Sequence, residues 1–317
     1  LDKKGYCKKN SLVVRLSHGN GSTKTKGEGE EMKLKTLKLS QVAPANFVFH
    51  KYSLDYTLDA IERSGAKVME FYCADPHLSL DDVTIQDIRY VGKRIREHGL
   101  RVVDVCPENC TYPVNLASTN LNTRKRTYDY YLKALQAANE WECPNALFFP
   151  GWATMDASQE DAWKRAIDSM TSLAHIAETY GVTIILEAAP STVTVVTDLD
   201  KEIQMIEEVN SQGLSGMADL MCLQSIHETM ESAIEKFGMN RLRHIHFNDG
   251  IEVSARHWTQ KLLGEGDVPV EYMLQVLDEN GYEKYFGWEA FSPYDEDPIS
   301  ALAQTMEWCR ERFVNDI

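Results

Sequence analysis

From Met32 onward the chain alternates two kinds of apolar pattern. Short, nearly continuous apolar runs lie at Leu37–Val42, Lys67–Tyr72, Arg101–Val105, Ala146–Phe149, Thr183–Glu187, Gly216–Asp219, His244–Phe247 and Phe286–Glu289. Between them stand stretches whose apolar residues recur every three or four positions, among them Asp82–His98, Thr123–Glu142, Gln159–Tyr180, Lys201–Val209 and Ile226–Phe237. The first pattern predicts strands buried on both faces, the second helices with one face against a core. Ser64-Gly65, His98-Gly99, Tyr180-Gly181 and Asn280-Gly281 precede strands and read as helix ends. Eight such β-then-α units imply a parallel sheet covered by helices, either a closed (β/α)8 TIM barrel or an open doubly wound sheet. A dinucleotide-binding open sheet carries a glycine-rich turn after its first strand. Here Gln41-Val42-Ala43-Pro44 stands at that place, so the α/β barrel is the expectation, with its chemistry at the C-terminal strand ends.

Residues 1–31 break this pattern. Ser17 to Glu31 is glycine, serine, threonine, asparagine, one histidine and charge, with nothing to bury against the entropy of ordering. They read as a tail without structure or an upstream extension, and residues 32–317 as a single barrel domain. The 317-residue chain has 33 Lys and Arg against 48 Asp and Glu, a net charge of −15. Beyond the tail, 26 basic residues face 44 acidic ones, a net of −18. A body that acidic repels phosphate backbones and anionic lipid, so neither nucleic acid nor a membrane surface is expected as a partner. No apolar run reaches the ~18 residues of a membrane span. The seven cysteines (7, 73, 106, 110, 143, 222 and 309) form no CxxC pair. They read as reduced thiols of a cytoplasmic enzyme.

The ends of four strands carry the candidate chemistry. The fifth ends on Glu187, the sixth on Asp219 and the eighth on Glu289, and the seventh supplies His246. Three carboxylates at one barrel mouth repel each other unless a cation holds them. With one imidazole they make an oxygen-rich ligand set for one divalent metal, which suits Mn2+, Mg2+ or Co2+, with Zn2+ less favoured without thiolates. On the seventh strand His246, nearer the C-terminal end, is read as the ligand facing the interior, and His244 as a packing histidine facing the helix layer.

Leu186-Glu187-Ala188, Met217-Ala218-Asp219, His244-Ile245-His246-Phe247-Asn248-Asp249, Gly264-Glu265-Gly266 and Trp288-Glu289 resemble the xylose isomerase-like TIM barrels. The likeness is to sugar epimerases of the ketose 3-epimerase and fructoselysine 3-epimerase type. Cys106-Pro107-Glu108-Asn109-Cys110-Thr111-Tyr112-Pro113 resembles the third-strand loop of the latter. The resemblance implies that Glu187, Asp219, His246 and Glu289 hold one divalent metal, commonly Mn2+, and that Glu187 and Glu289 are the acid/base pair. One removes the proton α to a sugar carbonyl to give an enediolate, and the other returns a proton on the opposite face. It also places Arg256 and His257, in a long loop after the seventh strand, over the substrate. Glu108 and Trp152, at the ends of the third and fourth strands, would contact hydroxyls or stack on a sugar ring. A homo-oligomer is the family expectation.

Three positions depart from that pattern. Val193 stands where these epimerases commonly carry a glutamate, Cys222 where ketose epimerases often carry a histidine, and the loop Ser254–Leu263 is long. Elimination from a keto-sugar is the competing chemistry, in a C-glycoside deglycosidase subunit with a small partner chain or in an inosose-type dehydratase. Ala188, where the deglycosidase has a histidine, weighs against the former. A phosphodiesterase needs further histidine ligands and a basic face, and a barrel without activity would not need all four ligands.

Overall fold

The computed structural model describes residues 32–109, 114–189, 192–255, 257–291 and 293–317. The expectation for residues 1–31 lies outside them. The strands are β1 (Val42–Pro44), β2 (Val68–Cys73), β3 (Arg101–Pro107), β4 (Asn145–Leu147), β5 (Thr183–Leu186), β6 (Leu214–Asp219), β7 (Leu242–His246), β8 (Asp249–Ser254), β9 (His257–Lys261) and β10 (Tyr285–Trp288). Eight of them pair in parallel in the order β1, β10, β7, β6, β5, β4, β3, β2. A lone bridge between Ala45 and Glu70 brings the two ends of this sheet together, so the barrel is nearly closed. β8 and β9 form a separate antiparallel hairpin.

The helices are α1 (Leu54–Arg63), α2 (Ile85–Glu97), α3 (Leu121–Glu140), α4 (Gln159–Tyr180), α5 (Leu199–Val209), α6 (Leu220–Ser225), α7 (Met230–Arg241), α8 (Val270–Glu279) and α9 (Pro298–Arg312). Side-chain oxygens of Ser53, Thr84, Asn120, Ser158, Asp198, Asp219, Thr229 and Asp297 accept from first-turn N–H groups, which have no partner within a helix. Gly65, Gly99, Gly181 and Gly281 all take positive φ at the helix ends, as their sequence positions predict. Among the described residues, no helix is long and apolar enough to cross a membrane.

Two layers of apolar side chains bracket the barrel interior. Ala43, Val68 and Val103 pack together near its foot, and Cys106, Leu147, Phe149, Ile185, Ala189 and Met217 pack together towards the mouth. The larger core lies outside the sheet, under the helices. Because side chains two apart share a strand face, the inward run Thr183, Ile185 ends on Glu187, and Ser215, Met217 ends on Asp219. Strand period thus delivers the carboxylates to the mouth.

Three expectations change. Leu37–Val42 is mostly not a strand: Leu39–Gln41 make a 3-10 turn. The Gln41 side chain folds back, with Oε1 accepting from Lys38 N at 2.6 Å, and Leu37 and Leu39 exchange backbone bonds with Val314. The C-terminal segment takes the partners that a longer β1 would have used. The stretch Ile226–Phe237 begins later, at Met230, because Asp219 caps a separate short helix, α6. The long loop after the seventh strand is largely the β8–β9 hairpin, with Ile251 opposite Thr259 and Glu252 opposite Trp258.

Candidate active site

At the C-terminal strand ends lies a cavity of about 310 Å3, lined by Glu108, Asn109, Glu187, Asp219, Cys222, Asn248 and Glu289 among polar residues. Phe47, Tyr72, Leu147, Phe149, Val193, Met221 and Phe291 supply its apolar wall. Donor atoms of Glu187, Asp219 and His246 all lie within 4.8 Å of one another. His246 Nδ1 is 3.7 Å from Glu289 Oε2 and 4.0 Å from Asp219 Oδ2. Glu187, Asp219 and His246 therefore form one cluster, and Glu289 joins it through its approach to His246. Asp219 is steadied by Cys222 N at 2.7 Å and Asn248 Nδ2 at 3.3 Å, and the Cys222 thiol lies 3.4 Å from Glu187 Oε1.

The electrostatics follow from burial. Removal from water pushes Glu187 up to about 7, with Asp219 adding to the rise and His246 opposing it. Burial likewise pushes Glu289 up to about 8, with the carboxylates of Glu70, Glu187 and Asp219 adding to it against His246. Asp219 is also raised by burial. Carboxyls poised this close to neutrality either give or take a proton.

The residues present fit a divalent cation. His246 is about 1% exposed, and among the described residues its Nδ1 has no hydrogen-bond partner, while three carboxylates crowd around it. An unpaired buried nitrogen is costly, and so are crowded like charges. A cation among these four side chains would remove both costs.

Sequence reasoning missed Glu70. Its side chain is fully buried inside the barrel, and Oε2 accepts from both His246 Nε2 at 3.0 Å and His244 Nε2 at 3.1 Å. Burial alone would push Glu70 up, but the two histidines hold it down to about 2. The placement of His244 in the helix layer is therefore corrected. It lies two residues from His246, so both point inward. The available signal was an acidic residue in the middle of the apolar run Val68-Met69-Glu70-Phe71, since a buried carboxylate needs a partner. Asp249 was quoted only as part of a motif. Its carboxylate accepts from the backbone N–H of Gly264 (3.0 Å), Gly266 (2.9 Å), Val268 (3.1 Å) and Gly250 (2.7 Å). A Cβ on Gly266 would sit 2.2 Å from Asp249 Oδ1, which accounts for the glycine in Gly264-Glu265-Gly266. Gln260, on β9, accepts from Phe291 N at 2.7 Å and donates to the Glu289 carbonyl, tying the hairpin to the strand end that carries Glu289.

The other substrate candidates are dispersed. Glu108 lines the cavity and accepts from the Tyr72 hydroxyl. Val193 lies in the apolar wall and Cys222 beside Glu187. Trp152 is half-buried in the loop after β4, with its backbone held by Asn115, and is not among the lining residues. His257 is exposed at the start of β9, also outside the lining set. Arg256 lies outside the described residues.

Fold and site together define a (β/α)8 barrel with a carboxylate-and-histidine centre at its mouth. The chain belongs to the xylose isomerase-like TIM barrel family, whose profile matches residues 58–312. It is similar to fructoselysine 3-epimerase of Escherichia coli O157:H7, with 24% identity over 253 residues, 80% of this chain and 90% of that protein. Among solved structures it resembles D-psicose 3-epimerase from Clostridium cellulolyticum H10 with D-tagatose. The TM-score is 0.67 at 17% identity, covering 84% of this chain and 98% of that one. It also resembles the IOLI protein with a bound zinc atom, with a TM-score of 0.70 at 18% identity, over 85% of this chain and 96% of that one.

Proposed function

We propose that this chain is a divalent-metal-dependent sugar epimerase that exchanges the proton α to a carbonyl of a ketose or related keto-sugar. The observation that carries the reading is the pair Glu187 and Glu289. Both line one cavity, both have raised proton affinity, and both face the unpartnered His246 Nδ1. They enter from β5 and β10, strands separated in the sheet by β6 and β7, and so approach a bound sugar from different sides. One glutamate, as carboxylate, removes the α proton, and the other, holding a proton, delivers it to the opposite face. A single base would return the proton to the face it came from.

Glu187, Asp219, His246 and Glu289 would hold the metal, with Mn2+ the favoured occupant of so oxygen-rich a set. When bound, it would act as a Lewis acid on the sugar carbonyl. Asn248 and the Cys222 backbone keep Asp219 in place. The apolar wall of Phe47, Phe149, Val193 and Phe291 packs on the C–H faces of the sugar and excludes water. Similarity to fructoselysine 3-epimerase and D-psicose 3-epimerase supports the same reading. Val193, an apolar side chain in that wall, offers no hydrogen bond to a sugar hydroxyl.

The test is deuterium uptake from D2O into a panel of ketoses and 3-keto glycosides, with metal analysis of the same protein. Label at the carbon α to the carbonyl is expected, and should be abolished by Glu187→Gln or Glu289→Gln. Bound metal without uptake into any sugar of the panel overturns the epimerase reading. Release of an aglycone would move the assignment to elimination.

A further inference from the structure

We infer that Glu70, braced by His244, positions His246 so that Nδ1 and not Nε2 is its metal-coordinating nitrogen. The inference rests on the metal reading above and deepens it. A carboxylate oxygen has no hydrogen to give, so each imidazole nitrogen that meets Glu70 Oε2 carries the hydrogen itself. At 3.0 Å from that oxygen, His246 Nε2 is committed to donation. Its other nitrogen, buried and unpartnered, faces Glu187, Asp219 and Glu289. A carboxylate behind a ligating histidine fixes its tautomer and ring orientation.

The arrangement is built from three separate strands. Glu70 comes from the middle of β2, and both histidines come from β7 across the barrel. The two rings stand nearly perpendicular, at 83° with centroids 5.4 Å apart, and grip the same oxygen. His244 thus holds Glu70 from a second direction and stops the carboxylate from rotating away from His246. Space for this comes from β10, where a Cβ on Gly287 would lie 2.2 Å from Glu70 Oε2, 2.7 Å from His244 Nε2 and 2.9 Å from His246 Cδ2. Glu70 is not among the residues that line the cavity and acts through His246, so it is a positioning residue.

The experiment uses the full chain stripped of metal, with Zn2+ as a diamagnetic probe. In protein labelled with 15N-histidine, and with His246 assigned by the loss of its signals in His246→Gln, the nitrogen that Zn2+ shifts is read directly. The expected result is a shift at Nδ1, with Nε2 remaining protonated. Zn2+ affinity is then measured by chelator competition. Glu70→Gln should weaken it by about 10- to 100-fold, while the melting curve of the metal-free variant still shows a folded protein. Zn2+ on Nε2, or a folded Glu70→Gln with wild-type affinity, overturns the inference and leaves the metal reading standing. A wild-type chain that binds no Zn2+ overturns both. Should Glu70→Gln not fold, the nitrogen assignment in the wild type decides alone.

Discussion

Gly287→Ala adds one methyl group at the most crowded point of the barrel. The new Cβ would lie 2.2 Å from Glu70 Oε2, where ordinary contact begins at 3.4 Å, so the carboxylate must retreat by about 1 Å. Its bonds to His246 and His244 are 3.0 and 3.1 Å long, and such a retreat breaks both. Each bond to a charged group is worth about 1.5–3 kcal/mol, and the overpacking costs about 1–3 kcal/mol more. Allowing for non-additivity among touching groups, the expected loss is about 3–6 kcal/mol. At ~2–4 °C per kcal/mol that lowers Tm by about 6–24 °C. Gly99→Ala is the control. Gly99 has a φ of 67° and nothing within 4 Å of its would-be Cβ, so it pays only the left-handed strain of about 1–2 kcal/mol. Calorimetry of both variants, with Zn2+ titrations, separates the two causes. Gly287→Ala should lose both stability and metal affinity, whereas Gly99→Ala should lose a little stability and no affinity. If Gly287→Ala matches the control in both measurements, the packing argument is wrong.

Three further outcomes follow from the geometry. Mn2+ at a hundredfold excess over its Kd should stabilise the stripped protein by about 2.7 kcal/mol; Asp219→Asn, which keeps the α6 cap, should abolish the gain. A Tm unchanged by Mn2+, Co2+ and Zn2+ alike refutes the centre. Asp249→Asn weakens four backbone contacts at once and should cost about 2–3 kcal/mol. Proteolysis should then cut first between residues 254 and 266, and an unchanged cleavage pattern counts against Asp249 as the hairpin's anchor. Asp278 accepts from the N–H groups of Lys35, Thr36 and Leu37 and from the Thr36 hydroxyl. Against the upward push of burial, these donors hold its carboxyl below the ordinary 3.8. Its stabilisation is therefore present above that value and is lost as pH falls through the lower folded value. Asp278→Asn should cost about 1–2 kcal/mol at neutral pH, and the gap from wild type should close below pH 3.8. A gap independent of pH contradicts this account.

Much of the site was legible because a strand repeats every two residues. Once Thr183–Glu187 and Gly216–Asp219 read as buried strands, their last polar residues had to fall at the mouth, and Glu187, Asp219, His246 and Glu289 do gather there. The same rule, applied to His244 and His246, puts both inside, and placing one of them outside hid their common partner. Glu70 was hard to find because its meaning lies in residues more than 170 positions away. A single acid in an apolar run signals an unmet need for a partner but does not say which one. The β8–β9 hairpin was read as loop because its strands are mostly exposed and carry little apolar pattern, although Ile251 and Val253 do alternate with polar neighbours on β8.

Sequence alone determined the architecture, since eight apolar runs alternating with amphipathic helices have few ways to bury both patterns, and a parallel barrel is among the simplest. It also determined which acids stand at strand ends, because local period decides facing without reference to the rest of the chain. Tertiary structure decided what those groups do to one another. That Glu187 and Glu289 hold protons near neutrality depends on burial and on the distances between strands. That His246 turns Nδ1 to the mouth depends on Glu70 reaching it through the space left by Gly287. Hydrophobic patterning is a one-dimensional signal that survives in the sequence, whereas proton affinity and ring orientation are set by which side chains the closed barrel brings within 3 or 4 Å.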